Sequence, residues 1–132
     1  MLLELDNVTI SIDSNNIVNN IDITVPEKQF VGLIGMNGSG KSTLLKAVYG
    51  INNYTGNIFV NGENIKNITL KELAKKISVL IQENSTDFDF KVKDIVMLGR
   101  LPYKNLFDTD TAEDCDIVSN SLKYVNMEKF AD

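Results

Sequence analysis

The chain has no histidine and no tryptophan, and only one cysteine and two prolines in 132 residues. Without histidine there is no imidazole acid–base chemistry, no Ser–His nucleophile pair and little prospect of a zinc site. Cys115 stands alone, so no disulfide closes within the chain and no thiolate metal site can be built. That usage suits a reducing compartment. No stretch approaches the roughly 20 apolar residues that span a bilayer. Met1 to Ile10 has neither the basic start nor the apolar run of a signal peptide. The expectation is a cytosolic chain, one still able to dock on a membrane protein. Cations are scarce too: 13 Lys and Arg against 18 Asp and Glu leave a net charge of -5. General nucleic-acid binding needs clustered cations on phosphates, so this balance argues against it.

What is present is ordinary for a globular protein, with 43% hydrophobic residues in a length that suits one domain or part of a larger one. Leu2, Leu3 and Leu5 lead into Val8, Ile10 and Ile12, which alternate with Thr9 and Ser11. Alternation of that kind predicts a half-buried strand. Asp13 to Asn16 is a turn cluster, and Ile17 to Val25 alternates again until Pro26 to Gln29 breaks it. These segments predict an antiparallel β layer.

The texture then changes. Phe30 to Ile34 is apolar without alternation, as in a strand buried on both faces. A glycine-rich loop follows, then a helix from Ser42 to Tyr49 that Gly50 is placed to end in the left-handed conformation. Asn57 to Val60 reads as a strand before the hairpin dipeptide Asn61-Gly62. Thr69 and Glu72 form a capping box opening a helix with Leu70, Leu73, Ala74 and Ile77 on one face. Ser78 to Ile81 reads as a second apolar strand. Val92 to Leu98 is a short helix ended by Gly99, and Pro102 keeps the next residues out of helix. Thr109 to Val125 is the last helix, with Asp110, Glu113, Asp114 and Asp116 gathered where the dipole favours negative charge. Its predicted apolar stripe is Cys115, Val118, Leu122 and Val125.

The chemistry is concentrated in one loop. Gly35-Met36-Asn37-Gly38-Ser39-Gly40-Lys41-Ser42 matches G-x-x-x-x-G-K-[ST], the P-loop. Glycines let the backbone close on a phosphate, and successive N–H groups then form an anion nest. The following helix adds its free amides and the positive end of its dipole. Lys41 reaches the β- and γ-phosphates, and the Ser42 hydroxyl suits Mg²⁺, which prefers hard oxygen ligands. By composition the bare pattern arises in roughly one in a few hundred chains of this length. Its place between an apolar strand and a helix is what separates it from a glycine turn beside a surface lysine.

The run Gly35 to Leu45, with Thr43 after Ser42, resembles the Walker A segment of ATP-binding-cassette (ABC) ATPases. Other segments resemble that family in order. Asn7 to Ile10 looks like its opening strand, and Gly56-Asn57-Ile58 with Val60-Asn61-Gly62 like its hairpin. Leu80-Ile81-Gln82-Glu83 resembles the Q-loop. Val92 to Val96 with Gly99-Arg100-Leu101-Pro102-Tyr103 looks most like importers of iron–siderophore, haem or cobalamin type.

The resemblance implies an α/β fold: a P-loop NTPase-type three-layer core with an N-terminal antiparallel β subdomain, incomplete at the C-terminus. Residues 1–132 would be the N-terminal portion of one nucleotide-binding domain. It would hold the β layer in 1–29, the strand–loop–helix in 30–50, the hairpin, helix and Q-loop strand in 51–82, and the start of a helical subdomain in 83–132. It implies ATP and Mg²⁺ as cofactors, held by Gly35 to Thr43, with Ser42 and Gln82 on the metal. As an isolated residue, Gln82 would instead be a polar strand end. It implies transmembrane permease subunits meeting the region Asn84 to Phe90, a second ATPase subunit, and a place at the cytoplasmic face of the membrane. Phe88 and Phe90 either join that contact or pack under their own loop.

Three departures stand out. Ile12 sits where the family has an aromatic residue stacked on adenine, so apolar contact alone would hold the base. Lys28 stands where the turn often has Gly, at little cost if the turn is type I. The signature motif, Walker B aspartate, catalytic glutamate and switch histidine are all absent. Phosphoryl transfer needs several such parts together, so the chain alone is expected to hydrolyse ATP poorly or not at all. The Phe30–Ile34 strand would also lack its Walker B neighbour, leaving an open apolar edge. The expectation is therefore the N-terminal part of a longer ATPase, or a truncated product. Two rivals stay open: another P-loop enzyme such as a small GTPase, whose N-K-x-D motif is not found, and a non-transport ABC protein.

Overall fold

The computed structural model describes residues 2–81 and 90–131. The chain forms two compact units, Met1–Val79 and Leu80–Asp132.

The first unit is built on an antiparallel sheet in the order β2-β1-β3-β4. Strand β1 (Leu3–Ile12) pairs with β2 (Asn15–Val25) on one side and β3 (Thr55–Val60) on the other, and β4 (Glu63–Asn64) extends the far edge. The two hairpin turns have positive φ at both central residues, Asp13 and Ser14 in one, Asn61 and Gly62 in the other. That is the primed geometry whose twist matches paired strands. Leu5, Val8 and Ile10 of β1 join Val18, Ile58 and Val60 to make the buried face. Helix α1 (Lys41–Val48) lays Leu44, Ala47 and Val48 into the same core. The opposite face is polar: Thr9 bonds to Asn20, and Ser11 to Asn16, which donates to Asn19.

Helix α1 ends as its sequence demands. Gly50 is left-handed at φ 82, its N–H bonds to Ala47 O, and Ile51 N–H returns to Lys46 O at 2.8 Å. These two bonds are a Schellman motif, satisfying carbonyls the helix leaves open. Helix α2 (Leu70–Ala74) carries the expected capping box between Thr69 and Glu72. The Thr69 amide and hydroxyl on the Glu72 carboxylate hold that group below its ordinary pKa. The helix is shorter than its periodicity suggests, with Ile77 beyond its end but still packed against the core.

The second unit contains α3 (Val92–Leu98) and α4 (Ala112–Tyr124), joined through a 3₁₀ turn at Leu101–Tyr103. Pro102 therefore sits inside a helical turn, at the start of one where its missing N–H is harmless. Helix α4 begins three residues into its predicted span, because Thr111 caps it with Asp114 in a second capping box. Val118 and Leu122 of its stripe are buried, whereas Cys115 and Val125 are exposed.

Two predicted strands do not form. Phe30 to Ile34 runs as a single segment with Phe30 101% and Ile34 95% exposed. Ser78 to Ile81 is likewise unpaired, and Leu80 is 95% exposed. A strand exists only through a neighbour's N–H and C=O groups. Among the described residues the sheet offers these segments no neighbour.

The turn before Phe30 also differs from expectation. Lys28 has φ 59, in the left-handed region rather than in type I geometry. For a side chain other than Gly this costs about 1–2 kcal/mol. Glycine would remove that cost and lose roughly 0.5–1 kcal/mol more backbone entropy on folding. Lys28→Gly is thus expected to stabilise the first unit by several tenths to about 1 kcal/mol, seen as a higher urea midpoint. A lower midpoint would mean that the lysine makes a contact worth more than its backbone strain.

Candidate functional site

The glycine-rich loop delivers the chain into α1. That helix starts at Lys41 with Gly40 as its N-cap, and no side chain caps it. The first amides of a helix have no partner within it. Gly40 has no side chain to take them, so they remain available to an anion at the positive end of the helix dipole.

Gly40 is confined for two reasons. Its φ is 87, and a Cβ there would lie 2.9 Å from Val18 Cγ2 and 3.1 Å from Ile17 O. The loop thus rests directly on β2. Gly38 is also left-handed at φ 81, and a Cβ on Gly35 would meet Ser39 Oγ at 2.7 Å. Ser39 N–H closes a turn onto Met36 O at 3.2 Å. Lys41 folds back across the loop: its ammonium donates to Gly35 O at 2.8 Å and Met36 O at 2.7 Å, with Ser39 Oγ at 3.5 Å. Ser42 lies exposed in the first turn. Behind the loop is a cavity of about 210 Å³, lined by apolar side chains of β2 together with Leu33, Ile34 and Leu44.

The structure therefore brings Gly35, Met36, Asn37, Gly38, Ser39, Gly40, Lys41, Ser42 and Thr43 into one turn-and-helix start. Gln82 and residues 84–89 lie outside the described residues. Phe90, the remaining residue of that region, is 55% exposed. Ile12 is at the end of β1, partly exposed. Ile17 escaped the sequence reading. Alternation put it on the face of Ile21, Ile23 and Val25, but the ladder is irregular around Asn19 and Asn20, where Asn20 has φ 44. That irregularity reverses the alternation, so Val18 is buried and Ile17 faces outward beside Gly40. Asn-Asn in a strand was the available signal, since Asn tolerates the left-handed conformation.

The chain matches the ABC transporter family over residues 18–132. It belongs to that family. It is 33% identical over 131 residues to the manganese transport system ATP-binding protein MntB of Halalkalibacterium halodurans, covering 98% of this chain and 50% of the relative. It is also 33% identical to the petrobactin import ATP-binding protein YclP of Bacillus subtilis, over 99% of this chain and 52% of that protein. A solved structure of an ATP-binding subunit of an ABC transporter superposes with a TM-score of 0.79 at 20% identity, covering 99% of this chain and 53% of the other. The fold is thus that of ABC ATPase subunits: an antiparallel sheet with the P-loop helix packed on it. This ABC chain spans about half the length of the relatives it matches. No helix among its described residues is long and apolar enough to cross a membrane.

The geometry fits the nucleotide phosphates that the family implies. The cradle is one that a Cβ at Gly40 would distort, its amides are uncapped, and an ammonium lies at its mouth. Gly40→Ala is expected to cost about 1–2 kcal/mol in backbone energy alone, plus displacement of Val18. Amide exchange at residues 44–48, the bonded amides of α1 that begin with Leu44 N–H on Gly40 O, should accelerate by roughly tenfold or more. Unchanged exchange would show that the loop moves off β2 freely.

Proposed function

We propose that the chain is the nucleotide-binding portion of an ABC importer's ATP-binding subunit, for an iron chelate or a cobalamin-type substrate. One observation carries the reading: uncapped amides at the start of α1 are seated on β2 by Gly40, with the Lys41 ammonium across the loop. In this reading the amides from Gly38 to Thr43 donate to the β-phosphate. Lys41 exchanges its loop carbonyls for phosphate oxygens. The Ser42 hydroxyl and the Gln82 side chain take Mg²⁺, a cation that prefers oxygen ligands. ATP supplies the phosphoryl group, while these residues bind, orient and neutralise charge.

The importer assignment draws on the Gly99 to Tyr103 segment and on relatives named for manganese transport and petrobactin import. A manganese system among them broadens the cargo beyond chelates, and the cargo itself is read by a permease rather than by this chain. The subunit would sit at the cytoplasmic face of the membrane, meet the permease through Asn84 to Phe90, and pair with a second ATPase subunit. Little hydrolysis is assigned to the 132 residues alone, because none among the described residues is a candidate to polarise water.

Calorimetry with Mg-ATP on the full chain tests this directly. Binding should weaken by at least about tenfold in Lys41→Ala, which loses a charge-assisted contact, and phosphate release should stay at the background rate. Robust turnover would show that a water-activating residue has been overlooked. Absence of binding by the unaltered chain would sink the nucleotide assignment for these residues.

Nucleobase choice gives a separate expectation. Ile12 and Ile17 offer apolar contact without an aromatic face, and stacking is worth about 0.5–1.5 kcal/mol beyond area. ATP and GTP should then bind within about tenfold of each other. A preference of a thousandfold would require polar readout of the base by other residues.

A further inference from the structure

The Gly99-Arg100-Leu101-Pro102-Tyr103 segment turns its chemistry inward within the second unit. Arg100 donates from Nε to Asp114 Oδ1 at 2.8 Å, and its guanidinium stacks over the Tyr103 ring, 4.3 Å from the centroid. Lys104 reaches the other carboxylate oxygen at 3.2 Å and also pairs with Asp110. The same Asp114 caps α4, accepting from the Thr111 amide at 3.0 Å and the Thr111 hydroxyl at 2.8 Å. Asp114 and Lys104 side chains are only 7% and 9% exposed. One buried carboxylate thus receives two cations and two neutral donors. Removing one partner from such a cluster strands the others.

We propose that Arg100 and Asp114 form an arginine-specific latch that pins the 3₁₀ turn after α3 to the first turn of α4. Arg100 does two things at once: it donates to Asp114 and presents a flat face to Tyr103. Lysine has no planar group and cannot do both. Pro102 pre-sets the backbone so that Arg100 and Tyr103 fall on the same side of the turn: Tyr103 N–H returns to Arg100 O at 2.9 Å. The Arg100 contact, followed by the Thr111 bonds, holds the Asp114 carboxyl well below the usual carboxylate range, as a permanently ionised hub requires. The latch sets the path of the connector that carries Leu106 and Phe107, both about 90% exposed (89% and 91%). It stands whether or not the chain binds nucleotide.

Amide hydrogen exchange on the full chain tests the latch. Arg100→Met and Asp114→Asn should each accelerate exchange at the bonded amides of Arg100, Tyr103 and Lys104 by about tenfold or more. The double variant should be no faster than the worse single one, since both remove the same contact. Arg100→Lys should behave like Arg100→Met. Thr111→Val should loosen the start of α4 while leaving the amides of Arg100, Tyr103 and Lys104 protected. Amides of β1 and α1 serve as the folding control. If Asp114→Asn unfolds α4 as a whole, Arg100→Met and Thr111→Val still decide. Multiplying effects of the two singles, full rescue by lysine, or an Arg100→Met exchange within about twofold of the parent would each overturn the proposal.

Discussion

The pairing of β1 with a neighbour on each side holds the first unit together. β1 supplies the central ladder to β2 and β3, and its buried residues Leu5, Val8 and Ile10 are the floor on which α1 rests. The glycine-rich loop inherits its position from this arrangement. Gly40 touches β2 at Ile17 and Val18, so the start of α1 is fixed by a strand that is itself fixed by β1. A phosphate cradle made of backbone has no side chains to adjust its shape. Its geometry is only as good as the surface beneath it.

The same requirement for a neighbour explains what stays unstructured in the secondary-structure sense. Phe30 to Ile34 and Ser78 to Ile81 have the composition of interior strands, yet neither is paired. Their apolar side chains stand in solvent, unlike the alternating strands beside them. An unpaired apolar segment of this kind is a surface that other β structure can satisfy.

Local chemistry was readable from the residues. The hairpin at Asn61-Gly62, the cap at Thr69 and Glu72, and the left-handed Gly50 are each determined by atoms a few residues apart. The loop from Gly35 to Ser42 was readable for the same reason, as was the start of α1 within one residue. What could not be read depended on distant partners or on a single backbone irregularity. The two unpaired strands needed neighbours that no local pattern reports. Ile17 was hidden by the irregular ladder at Asn19 and Asn20, which inverts inside and outside halfway along β2. Asp114 looked like one of several acids near a helix start; only the fold shows Arg100 and Lys104 arriving from fourteen and ten residues earlier. Lys28 looked tolerable because its turn type is not encoded by the lysine itself.

The Lys41 ammonium already donates to the Gly35 and Met36 carbonyls. An arriving anion therefore replaces protein dipoles, not a full hydration shell. The exchange is between two sets of oxygen acceptors, so it is close to isodesmic: the number of hydrogen bonds is conserved and the gain lies in charge. Full charge on the acceptor makes the new bonds the stronger ones. The lysine thus ties the strength of anion capture to the charge of the ligand, because a neutral ligand of the same size has nothing better to offer it than the carbonyls it would leave.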